Sequence, residues 1–123
     1  METIQTSNAP AAIGPYSQGK IAGNLVLLSG QIPLNPQTGD VEGEDITQQT
    51  ERVCQNIAAL LEAAGTSFDN VCKTTCFLQD MADFAQFNGV YAKYFVSSPA
   101  RSCVAVRALP KGVLVEIELI AMK

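Results

Sequence analysis

Histidine is absent from this chain of 123 residues. That gap removes every Ser-His-Asp triad, Cys-His pair and imidazole acid–base scheme. Any catalysis must use carboxylate, thiol, phenol, hydroxyl, amide, Arg, Lys or backbone groups. No apolar run approaches the length needed to span a bilayer. The N-terminal stretch METIQTSNAPAAIGPYSQ lacks the basic start and apolar centre of a secretory signal. A cytoplasmic location and no membrane partner are therefore expected. Basic residues are few, eight against twelve acidic ones, and they are scattered singly. With a net charge of −4 and no basic patch to neutralise phosphates, no nucleic-acid partner is expected.

A disulfide pattern is missing among the four cysteines as well. Cys54, Cys72, Cys76 and Cys103 show no disulfide framework of a small secreted domain. Only Cys72 and Cys76 are close in sequence, and structural zinc sites favour closely spaced ligand pairs. No metal and no cofactor are expected, and the four residues read as reduced, mostly buried thiols. Linkers, low-complexity tracts and internal repeats are missing too. What remains is a chain that is 47% hydrophobic and 16% charged. That composition and length fit a single domain, residues 1–123, with a real core.

Periodicity places the elements. The apolar runs around Gly23-Asn24 in KIAGNLVLLSG form a hairpin signal. QIPLNPQTGDVEGED is a loop. Asp45 is the expected N-cap of a first helix, with Gln48 completing a capping box. Ile46, Val53, Ile57, Leu60, Leu61 and Ala64 make its apolar stripe, and Gly65 ends it. VCKTTCFL, from Val71 to Leu78, is a strand. Asp80 caps a second helix, on which Phe84, Phe87, Tyr91, Tyr94 and Phe95 share a face, and Ser97-Ser98-Pro99 stops it. Asn88-Gly89 in mid-helix predicts a local distortion. Two last strands, about Arg101 to Val106 and Val113 to Met122, are expected to form a hairpin through RALPKG. The fold class is therefore α+β: a mixed sheet with two helices on one face. Several strands are apolar on both sides, so the second face needs a cover. A domain this small has none left, and a homo-oligomer packed sheet against sheet is expected.

Three charges interrupt the apolar closing segment PARSCVAVRALPKGVLVEIELIAMK: Arg101, Glu116 and Glu118. Alternation puts Glu116 and Glu118 on one face of the last strand. In a hairpin centred between Leu109 and Pro110, Cys103 would face Glu116 and Arg101 would face Glu118. The plain alternative is a solvated cross-strand ion pair worth about 0.2–1 kcal/mol. Against it, the acids sit among Leu, Ile and Met, and an interface would partly desolvate them. Arg suits a bidentate grip on a substrate carboxylate, and a carboxylate in apolar surroundings is pushed towards useful acid–base values. Tyr16 and Ser17 in GPYSQG, Ser29-Gly30 in LLSGQIP and Asn88 are weaker polar candidates. Lys20 and Lys111 read as solvated turn lysines.

The closing segment, with NAPAAIGPYSQG, LLSGQIPLNPQTGDV and VCKTTCFLQDMADFAQFNGVYAKYF, closely resembles the reactive intermediate deaminase family, RidA, formerly YjgF. The resemblance covers essentially the whole chain in order. It implies a fold similar to trimeric chorismate mutase, and a homotrimer with sites between subunits. It implies hydrolysis of 2-imino acids, the enamine and imine products of dehydratases, to 2-keto acids and ammonia. By the same resemblance Arg101 binds the substrate carboxylate, Glu116 positions and deprotonates water, and the Cys103 backbone carbonyl helps hold that water. Tyr16, Ser29, Gly30 and Asn88 match pocket residues. Glu118 matches an acid of the family without a clear chemical role, and Arg107 is expected to matter little. A non-catalytic regulatory module that binds small carboxylates is the alternative. An RNA-cleaving activity, also attached to this family, fits poorly with an acidic, histidine-free chain.

Overall fold

A computed structural model describes residues 1–123. Six strands form one sheet: β1 (Glu2–Ile4), β2 (Gly19–Ala22), β3 (Leu25–Gln31), β4 (Val71–Leu78), β5 (Ala100–Ala105) and β6 (Val115–Met122). Two helices, α1 (Ile46–Ala63) and α2 (Phe84–Tyr94), lie on one of its faces. The sheet order is β1-β2-β3-β6-β4-β5, with one parallel pair, β4 and β5. The α+β class with a mixed sheet thus holds.

The local expectations hold for local reasons. β2 and β3 pair through the Gly23-Asn24 turn, where Gly23 has φ of 61°. Asp45 accepts a hydrogen bond from Gln48 N (2.8 Å) at the start of α1. The Gln48 side chain reaches back one residue further than a capping box requires, accepting from Glu44 N. At the other end Gly65 takes φ of 80° and closes the helix. The helical stripe Ile46, Val53, Ile57, Leu60 and Leu61 is buried against Val26 and Leu28 of β3 and Val115, Ile117 and Leu119 of β6. Cys54 and Cys76 are buried, Cys103 is half-buried and Cys72 is exposed, so burial of the thiols is less general than expected. α2 runs unbroken through Asn88-Gly89, correcting the expected distortion; Gly89 faces open space there.

The last hairpin does not form. β5 pairs parallel to β4, with α2 as the crossover that a parallel pair requires. β6 instead inserts between β3 and β4, antiparallel to both. Cys103 is therefore opposite Cys76, and Arg101 opposite Thr74. Glu116 is opposite Phe77, and Glu118 opposite Thr75. β1, which the sequence pattern did not reveal, extends the far edge along β2.

The alternation expected for β6 is observed. Val115, Ile117, Leu119 and Ala121 are buried under the helices, while Glu116, Glu118, Ile120 and Met122 point away. That second face also carries Leu25, Leu27, Phe77 and Val104. It is apolar and uncovered in the single chain: Val104 is 45% exposed, Met122 38% and Leu25 36%.

Candidate active site

The charged candidates fall into two separate clusters. The first is built on the uncovered face of β6 and the end of β3. There Leu28 pairs with Leu119 and Gln31 with Ile117, so Ser29 and Gly30 together oppose the single residue Glu118. This is a β-bulge, which bends the strand and re-aims its side chains. A Cβ at residue 30 would overlap the Glu116 carboxyl group, so only glycine lets that carboxyl lie over the β3 backbone. Ser29 is held by two bonds: its Oγ donates to Ser17 O (2.5 Å) and its N to Gln18 O (3.0 Å).

A cavity of about 500 Å³ opens here, lined by Pro10, Tyr16, Ser29, Gly30, Glu116 and Glu118 among others. Its walls hang from three amide side chains that sequence reasoning missed. Gln18 is 5% exposed; its Nε2 donates to Thr6 O, Ala9 O and Pro10 O, and its Oε1 accepts from Thr6 N. Asn56, fully buried on α1, donates to Ile32 O (3.3 Å) and Leu34 O (3.0 Å) and accepts from Arg52. Gln49, about two helical turns earlier, accepts from Leu114 N and donates to Gly43 O, fixing the approach to β6. A signal for two of them was present. Gln49 and Asn56 fall on the apolar stripe of α1, between Ile46, Val53 and Ile57, where a polar residue needs a buried partner.

Within this cavity Glu116 is half-buried and no cation lies within 4.0 Å of it; the ion pairs are Arg52–Glu42 and Lys93–Glu51. Burial chiefly, and the Glu118 charge secondarily, raise the Glu116 carboxyl above its ordinary value. Tyr16 stands at the mouth, 55% exposed, its hydroxyl accepting from Ile13 N (3.3 Å).

The second cluster lies at the edge strand β5, on the helix side. Arg101 Nη1 donates to Asn88 Oδ1 at 2.7 Å. Its guanidinium carbon lies 4.8 Å from the Tyr91 ring centre and 5.4 Å from that of Phe84. Asn88, Tyr91, Val96, Ser98, Pro99 and Arg101 line an open groove of about 570 Å³. Cys103 is two residues along on the same side as Arg101. Burial raises its thiol more than the Arg101 charge lowers it, so the sulfur is no ready thiolate.

Sequence-derived residues are thus grouped as Tyr16, Ser29, Gly30 and Glu116, with Glu118, in one cluster, and Asn88, Arg101 and Cys103 in the other. Arg101 and Glu116 face opposite sides of the sheet. They are two strands apart across the sheet and three residues apart along it. With strand spacing and rise, that separates their Cα atoms by roughly 14 Å. The expected cross-strand meeting of these charges does not occur within one chain.

Comparison with known proteins gives these clusters a context. The chain is 48% identical over 126 residues to the 2-iminobutanoate/2-iminopropanoate deaminase of Escherichia coli (strain K12), covering 99% of this chain and 98% of that one. It is 55% identical to a RutC family protein of Pyrococcus horikoshii, covering 99% and 98%. Among solved structures, the YjgF gene product of E. coli superposes with a TM-score of 0.94 at 47% identity, covering 100% and 99% of the two chains. E. coli TdcF with bound serine gives 0.95 at 44% identity, covering 100% and 99%. The model of the family described as endoribonuclease L-PSP matches residues 6–123, and with these relatives it shows that the chain belongs to that family, the family of RidA and YjgF.

Proposed function

We propose that the protein hydrolyses small 2-imino acids to 2-keto acids and ammonia, at sites assembled between neighbouring copies in a homotrimer. One observation carries the proposal: an anion-binding half and an acid half, each incomplete, point to opposite faces of one sheet. A substrate of three or four carbons cannot bridge roughly 14 Å. A second copy laid on the uncovered face can supply the missing half, and the exposed Leu25, Val104 and Met122 with the half-buried Phe77 supply the apolar area for that contact. The name of the E. coli relative supports the same substrate class.

The chemistry follows from the groups present. Arg101, already oriented by Asn88, takes the substrate carboxylate in a bidentate grip. Serine bound to E. coli TdcF is itself a small carboxylate. A protonated imine is an electrophile that needs a water held at its carbon. Glu116, raised by burial, accepts a proton as the water oxygen bonds to that carbon and the C=N double bond becomes single. The same proton then passes to the nitrogen. The C–N bond breaks, ammonia leaves, and the hydroxyl proton passes back to Glu116 as the oxygen becomes the carbonyl of the keto acid. Tyr16, Ser29 and Gly30 shape the pocket, and the Cys103 carbonyl helps hold the water while its thiol stays protonated.

The test uses an amino-acid oxidase that makes imine from alanine or 2-aminobutyrate, with semicarbazide trapping the imine that survives. Addition of this protein lowers the rate of semicarbazone formation, and Arg101→Ala abolishes that effect while the oligomer persists in analytical ultracentrifugation. An unchanged trapping rate with the wild-type protein would leave the carboxylate-binding module without turnover.

A further inference from the structure

We infer that Tyr91, with Phe84, is a positioning residue that presets the Arg101 guanidinium for carboxylate capture. The inference deepens the proposed function and rests on it. β5 is an edge strand, exposed along much of its length, so nothing in the sheet itself fixes the long Arg101 side chain. What fixes it is α2. The guanidinium lies over two aromatic rings at 4.8 and 5.4 Å, and Asn88 from the same helix takes one of its N–H groups. An arginine stacked this way keeps its remaining donors free for a planar, two-pronged acceptor.

The Tyr91 ring is itself held from three directions. Its hydroxyl shares a 2.7 Å hydrogen bond with the buried Thr74 Oγ1 of β4, the residue directly opposite Arg101. Phe95 stacks on it with centroids 4.2 Å apart and planes 18° apart. Phe87 flanks it at 5.4 Å. A core tyrosine needs a partner for its hydroxyl, but not one on the strand position facing a ligand-binding arginine. The arrangement ties ring, strand and guanidinium into one rigid unit. It therefore acts on substrate capture and leaves the proton transfer at Glu116, on the other face, untouched.

The experiment measures pyruvate binding by calorimetry, together with KM and kcat in the oxidase-coupled assay, for Tyr91→Leu, Tyr91→Phe and Phe84→Leu. Loss of the Tyr91 ring is expected to weaken pyruvate and raise KM by roughly tenfold. kcat and the acid limb of its pH profile stay near wild type. Tyr91→Phe keeps the ring and restores most of the affinity, which a merely structural role of the hydroxyl would not explain. Phe84 is half-buried, so Phe84→Leu preserves the fold and is expected to raise KM roughly threefold even where Tyr91→Leu fails to fold. Wild-type KM and pyruvate affinity in a folded Tyr91→Leu, or in Phe84→Leu, overturn the inference. Arg101→Ala is the control: undiminished pyruvate binding in that variant sinks the proposed function itself, whereas its loss beside unaffected ring variants sinks only the positioning role.

Discussion

The two clusters are built by different means. The Arg101 cluster is assembled from side chains: α2 offers aromatic faces and one amide oxygen to a guanidinium on an edge strand. The Glu116 cluster is assembled from backbone: a bulge, a missing Cβ at Gly30, and loops pinned by buried amides. Side-chain sites tolerate rotamer adjustment. A backbone site does not, because its geometry is set by the chain path. The Glu116 cluster should therefore fail abruptly when one atom is added, and the Arg101 cluster should fade by degrees.

Gly30→Ala is the hardest test of that contrast. One methyl displaces the Glu116 carboxyl from its place over β3, and kcat is expected to fall about a hundredfold, comparable with loss of a positioned base. A circular dichroism spectrum like that of wild type would show that the fold survives. Asn56→Ala comes next. It strips partners from the Ile32 and Leu34 carbonyls and from Arg52, and a destabilisation of about 2–4 kcal/mol in urea titration is expected. A stability equal to wild type would mean those loops hold themselves.

Glu118→Gln sharpens the electrostatic side. Glu118 raises the Glu116 carboxyl, so removing its charge lowers that carboxyl. A base works only when deprotonated, so the acid limb of kcat/KM should move to lower pH in the variant. An unmoved limb would assign the raised value to burial alone. Cys103→Ala is the smallest: with a thiol that is raised and a role confined to its backbone, activity should stay within about threefold of wild type, as surface-like substitutions usually do. A loss of two orders of magnitude would point to thiol chemistry.

The legible parts of the molecule were those whose signals are local. Asp45, Gly65 and the Ile46-to-Leu61 stripe marked α1 because caps and a 3.6-residue period lie within a few turns. Gly23-Asn24 marked the first hairpin for the same reason. The alternation in VLVEIELIAM gave the correct faces of β6, including those of Glu116 and Glu118. The partner strands were not legible. Pro110-Lys111-Gly112 reads as hairpin chemistry, yet it forms a separate helical turn, with Lys111 at φ of 57°. β6 then continues to a slot between β3 and β4, a pairing across 37 or more residues that no local signal specifies. The bulge at Ser29-Gly30 depends on that same pairing, so the reason for Gly30 could not be seen before the register was known. Asn88 shows the reverse case: an awkward helix residue by propensity, it is explained by Arg101 beyond the helix.

The central claim is that Arg101 of one copy serves Glu116 of another. Arg101→Ala and Glu116→Gln chains, each inactive alone, can be unfolded together, refolded at equal amounts and checked for mixed oligomers by native mass spectrometry. Sites that draw one residue from each copy should regain about one quarter of wild-type activity, since one random pairing in four reunites both intact residues. Mixed oligomers that stay inactive would contradict the account.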